Sequence, residues 1–111
     1  KTYDFALRIV KMYQHLSQEK REFVLSKQVL RSGTSIGANV AEAQGAISKK
    51  DFSAKISIAY KEALETKYWL KLLLDSDYIE EKAFRSVFDD CDEICKILYS
   101  ILKKTRINTK Q

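Results

Sequence analysis

From Phe52 to Leu73 one face of the chain repeats without a slip: Phe52, Ile56, Ala59, Ala63, Thr66, Leu70 and Leu73 follow at alternating steps of four and three. A strand would put every second residue on one face, so this spacing is helical. Its strict alternation is the seam of a helix packed lengthwise against others. The rest of the chain obeys the same rule. Phe5, Ile9, Met12 and Leu16 predict a first helix over residues 2–16, and Leu25, Val29, Ser32, Ile36, Val40, Ala43 and Ile47 a second over 18–45. The long seam predicts a third over 49–75. Phe84, Val87, Cys91, Ile94, Leu98 and Ile101, widened by Phe88, Cys95 and Leu102, predict a fourth over 79–104.

The punctuation agrees with the stripes. The chain has no Pro and three Gly, which favours long helices over strands and turns. Ser17 is placed to cap the second helix, with Gln18 to Glu22 as the bend, and Gly45 to end it. Ser48 followed by Asp51 reads as a capping box opening the third, Asp75-Ser76-Asp77 breaks the pattern before the fourth, and the tail after Lys104 is expected to fray. Four amphipathic helices with short connections in 111 residues are best satisfied by one domain, residues 1–111. The fold class is all-α, an antiparallel up-down four-helix bundle in which every stripe shares one core. That topology puts the N-terminus, the turn from Gln44 to Lys50 and the basic tail at one end, and the acidic 75–81 turn at the other, so the molecule should be electrically polar along its length.

Charge bounds the partners. The net charge is +5, and it is segregated: residues 75–93 carry eight acidic and two basic side chains, residues 96–111 five basic and none acidic. An acidic start and basic finish suit the dipole of one helix. They also gather Lys49, Lys50, Lys103, Lys104 and Arg106 at one end, as candidate contacts to nucleic-acid phosphates. No aromatic-rich basic platform for bases is visible, so such contacts would be to the backbone and indifferent to sequence.

Enzyme chemistry has few parts here. There is no phosphate-cradling Gly-rich loop and no Glu-x-x-His pair of a di-iron bundle. Cys91 and Cys95 lie one helical turn apart and read as reduced core thiols, and with His15 the only histidine neither a metal nor another cofactor is expected. Arg8 and His15 loosely resemble the Arg-to-His spacing of some helical ribonucleases, a remote alternative, because both lie on one helix face and would meet only across an assembled interface. No apolar run of transmembrane length and no signal peptide occurs, which points to the cytoplasm and away from a membrane.

Two surfaces remain after the core is assigned. Ser32 to Ala41 carry no charge, in a chain that is 32% charged. A helix facing water on its outer side normally shows charge there. Thr34, Ala38 and Ala41 lie opposite Ile36 on the second helix, and Leu64, Tyr68 and Leu72 lie on the outer side of the third. These six residues predict burial between subunits of a homo-oligomer. A polar edge of Arg31, Ser35, Asn39 and Glu42 runs along the second helix, and one of Asp51, Lys55, Glu62 and Glu65 along the third. The two edges either face one another or both face away. Facing, they set Arg31 opposite Glu62, and a pairing of Arg31 with a third-helix carboxylate is the prediction, with Ser35 and Asn39 hydrogen-bonded.

The residues Arg31, Ser35-Ile36, Asn39 and Ala41-Glu42, then Ser48, Asp51-Phe52, Ile58-Ala59, Lys61-Glu62-Ala63 and Glu65-Thr66, resemble the four-helix-bundle proteins encoded within intervening sequences of bacterial 23S ribosomal RNA genes. The resemblance spans nearly the whole chain. Where that family often has Pro after its Ser-Ile pair and Gly after its Ala-Glu pair, this chain has Gly37 and Ala43, which should leave the second helix straighter. The resemblance implies a pentameric ring of bundles. It also implies similarity to the accessory variability protein of diversity-generating retroelements, a basic pentamer that binds nucleic acid and a reverse transcriptase; it implies no catalysis. The function expected is a non-catalytic basic oligomer that binds RNA or DNA, with a protein-interaction scaffold as the alternative.

Overall fold

All four stripes turn inward in the structure, a computed structural model that describes the backbone of residues 1–109 and the side chains of residues 1–105. The helices are α1 (Thr2–Gln18), α2 (Leu25–Gln44), α3 (Lys49–Asp75) and α4 (Glu81–Thr109). They form an up-down bundle of 51 × 21 × 20 Å in which α2 packs on α3, α3 on α4, and α1 on α2 and lightly on α4. Burial follows the seam of α3 closely: Ile56, Ala59, Ala63, Thr66, Leu70 and Leu73 are all buried. Two polar groups inside that core satisfy each other. The Thr66 hydroxyl donates to the Glu62 carbonyl (2.8 Å) and lies 2.9 Å from the Ser32 hydroxyl across the α2–α3 contact.

The bend between α1 and α2 differs from the sequence expectation. Helix α1 runs on to Gln18 and α2 begins at Leu25, seven residues after the expected start. Ser17 caps nothing; inside α1, its hydroxyl donates back to the Tyr13 carbonyl (2.8 Å). The cap is Glu22, buried in the bend, whose carboxylate accepts from the backbone N–H groups of Val24 (3.2 Å), Leu25 (3.0 Å) and Ser26 (2.7 Å). In return the Ser26 hydroxyl donates to the Glu22 carbonyl (2.6 Å). A carboxylate can meet three of the donors that a helix N-terminus leaves open, where a hydroxyl meets one. Arg21 turns the chain into this cap at φ 53°.

Three further expectations change. Ile47 lies beyond the end of α2 and is 95% exposed, so it is no part of the core stripe. The N-terminus stops short of the end of the bundle: Thr2 lies beside Gly37, and Lys1 pairs with Glu93 (2.7 Å) midway along α4. A 17-residue helix is too short to span the 51 Å bundle. Finally, α4 starts at Glu81 and continues to Thr109, past the residue where fraying was expected.

Candidate nucleic-acid interface

The basic end is built by two helix termini. Ser48 caps α3, its hydroxyl accepting from the Asp51 N–H (3.0 Å), and so fixes Lys49 and Lys50 in the first turn. The last turns of α4 run beside this start: Lys49 and Thr105 line one shallow cavity with Ala43, Ile47 and Phe52. Lys49, Lys50, Lys103 and Lys104 are all exposed. Among the described residues none of the four makes an ion pair, whereas Lys1, Lys55, Lys67 and Lys96 each do. The side chain of Arg106 lies outside the described residues. At the opposite end Lys20 of the α1–α2 bend lines one open groove with Asp77, Glu80 and Glu81, so that end carries a cation as well as carboxylates.

The polar edges of α2 and α3 face one another. Arg31 pairs with Glu65 and with Glu62 (3.3 Å), and its guanidinium also donates to Gln28 (3.1 Å). Glu65 accepts in addition from the indole N–H of Trp69 (2.8 Å). Further along, Lys55 pairs with Glu42 (3.0 Å), and that hydrogen bond, with the Glu42 and Asp51 charges, raises the lysine's pKa. The Ser35 hydroxyl donates to the Arg31 carbonyl (2.7 Å) and the Asn39 amide to the Ser35 carbonyl (2.8 Å). These last two bonds stay within α2.

On the outer faces, Leu64 and Tyr68 are exposed, Tyr68 at 59%, and so are Ala38 and Ala41. Thr34 and Leu72 are only half-exposed. The Thr34 hydroxyl donates to the Leu30 carbonyl (2.6 Å).

Sequence reading missed two clusters on the α3–α4 side. Lys67 donates to Asp92 (2.7 Å), which also pairs with Lys96 (3.2 Å), and its ammonium lies over the Phe88 ring. The Asp92 hydrogen bond raises Lys67, and the two lysines hold Asp92 below its usual range. Tyr60 and Tyr99 meet with ring centroids 5.9 Å apart and planes tilted by 43°. Both pairs fit one antiparallel register, their residue numbers summing alike, but that register is a property of the packed helices and not of either stripe alone.

Within the single chain Arg8 and His15 are not brought together. Arg8 is tied to Asp90 and donates to Ser86 (2.8 Å), while His15 lies two turns on, in an open groove of about 900 Å³ beside Lys11, Lys20 and Tyr78. Cys91 and Cys95 are free and buried. The neighbouring Cys95 side chain, with burial, pushes the Cys91 thiol up, and that thiol donates to the Ala63 carbonyl (3.4 Å). Among the described residues no group of three or more His, Cys, Asp or Glu could hold a metal, and no helix is long and apolar enough to cross a membrane.

A family model described as 23S rRNA-intervening sequence protein matches residues 1–100. Among solved structures, the chain is similar to a crystal structure of a protein of unknown function from the S23 ribosomal protein family of Bacteroides thetaiotaomicron. The two are 53% identical over 92% of this chain and 94% of that one, with a TM-score of 0.91. No curated protein matches.

Proposed function

The chain belongs to the 23S rRNA-intervening sequence protein family, and on that footing we propose that it is a non-catalytic, basic homo-oligomer that binds RNA or DNA through the phosphate backbone in an rRNA intervening-sequence setting. The observation that carries the proposal is the basic end, where Lys49, Lys50, Lys103 and Lys104 are exposed without a carboxylate partner among the described residues. An unpaired surface lysine keeps its full charge for a phosphate. Symmetry multiplies the effect, because each copy adds its own four cations to one assembly and multivalent contacts gain avidity. The resemblance extends the proposal to a pentamer, and to a retroelement-linked process in which a reverse transcriptase is a protein partner.

Phosphate contacts release counterions, so affinity should fall by about 10³ to 10⁵ between 50 and 200 mM salt if six to ten such contacts form. The test is retention of a generic RNA and of duplex DNA at low salt, by the native protein and by a variant carrying Lys49→Glu, Lys50→Glu and Lys104→Glu. Strong retention by the native protein and its loss in the variant supports the proposal. Equal retention by both removes this end from the interface. No retention by the native protein favours the protein-scaffold reading instead.

A further inference from the structure

Tyr99 is the exposed aromatic nearest the basic end on α4, and its surroundings are chemically specific. It is 53% exposed, and the half-buried Tyr60 of α3 braces it from below at 5.9 Å. Lys96 stands one turn before it and Lys103 one turn after, so the three share one edge of α4. The two lysines are about 10 Å apart along the helix axis, with the ring between them. Lys96 shares Asp92 with Lys67, which leaves that trio net positive.

We propose that the α3–α4 groove at Tyr60 and Tyr99 is a stacking site for the bases of single-stranded nucleic acid, with Lys96 and Lys103 holding phosphates on either side. The proposal rests on the nucleic-acid reading above and adds a preference to it. An aromatic face flanked by cations fits an unpaired base on a polyanion, because every base has a π-face and stacking needs no particular sequence. A duplex keeps its base faces inside and offers only phosphates and groove edges. Burial of the same edge between two copies of the chain is disfavoured, since it would desolvate two ammonium groups, and lysine is depleted in such interfaces. The exposed Leu64 lies one turn beyond Tyr60 on α3, and the exposed Tyr68 a further turn on and further round towards the outside of the bundle.

The probes are a labelled 20-nucleotide uridine oligomer, a 20-base-pair RNA duplex, and the uridine oligomer with 4-thiouridine incorporated. The native protein should bind the single strand more tightly than the duplex, and Tyr99→Leu should weaken single-strand binding by about tenfold, the scale of losing one stacked base. Tyr99→Phe should retain it, and duplex binding should not change in either variant. Irradiation should cross-link the thiouridine oligomer to the peptide bearing Tyr99. If Tyr99→Leu binds the single strand like the native protein while both still bind duplex, the stacking site is overturned and the backbone interface stands. If Tyr99→Leu lowers the mass of the oligomer and cross-links fall elsewhere, the groove is a contact between copies and the proposal is again overturned. Native protein that binds neither probe at low salt takes both readings down.

Discussion

Ile9 and Gly33 meet where α1 crosses α2: a Cβ on Gly33 would lie 2.8 Å from Ile9 Cγ2 and 2.9 Å from Cγ1. Gly33 is therefore what lets the short helix reach the core, with Ile9 itself fully buried. Gly33→Ala should lose stability despite the better helix propensity of Ala. The propensity gain is about 0.5–1 kcal/mol, against about 1–3 kcal/mol for overpacking a well-filled core. Urea unfolding should show a net loss of about 1–2 kcal/mol. Ile9→Val retains both offending carbons and should give no relief, whereas Ile9→Ala removes them and should make the pair markedly non-additive.

Glu22 predicts an acid-sensitive helix start. Burial alone would raise its pKa, but the N–H groups of Ser26, Leu25 and Val24, with the Ser26 side chain, outweigh burial and hold it below the ordinary carboxylate value. For a depressed carboxylate the stabilisation is full above the unfolded pKa, about 4.3 for Glu, and is lost as pH falls through the lower folded value. Glu22→Ala should cost about 0.5–2 kcal/mol at pH 7, as lost caps do. Glu22→Gln should cost less and should flatten the fall of melting temperature below pH 4.3. An unchanged acid limb in Glu22→Gln would show that other carboxylates set it.

How far the sequence could be read follows from what each signal reports. Periodicity reports which side of a helix is dry, so the seam from Ile56 to Leu73 and the stripe of α4 were legible residue by residue. It is silent about helix ends when a cap is unusual. Glu22 is not one of the common capping residues, so the sequence points to Ser17 and Gln18 as the start of α2, whereas α1 continues through them. The two-edge geometry was legible only as a choice, since facing and averted edges share the same pattern; the contact of Arg31 with Glu62 and Glu65 makes the choice. Tyr60 and Tyr99 stayed hidden because their meeting depends on the register between two helices, which neither stripe carries alone.

The Arg31 cluster should be worth less than its ion pairs suggest. The Arg31 side chain is half exposed, so its pairing with Glu62 and Glu65 is screened, and Arg31→Met should cost about 1 kcal/mol or less. Glu65→Ala should cost more, because it also strips the acceptor from the half-buried Trp69 indole N–H, a loss of about 1–3 kcal/mol for a group left unmet. A double-mutant cycle of Arg31 and Glu65 by chemical denaturation separates the two contributions. A coupling energy above the cost of Arg31→Met itself would mean that the guanidinium, and not the indole, fixes Glu65.

Assembly is the last prediction, and it follows from faces the bundle leaves bare. Leu64 and Tyr68 on α3, and Ala38 and Ala41 on α2, are exposed in the single chain, and the α2 pair lies in a stretch without any charged residue from Ser32 to Ala41. Small side chains let a second helix approach closely, and large apolar ones need cover; the two faces are thus complementary in kind, as a head-to-tail ring requires. Tyr68→Glu and Ala38→Glu should each reduce the mass measured by multi-angle light scattering to that of a monomer. The fold should survive both changes, since both sites are exposed. Helical content by circular dichroism should therefore stay near that of the native chain. Native protein that runs as a monomer at high concentration refutes the ring outright. An oligomer that ignores both variants would have to be held by other residues, with Tyr3 and Leu7, also exposed on α1, the next pair to change.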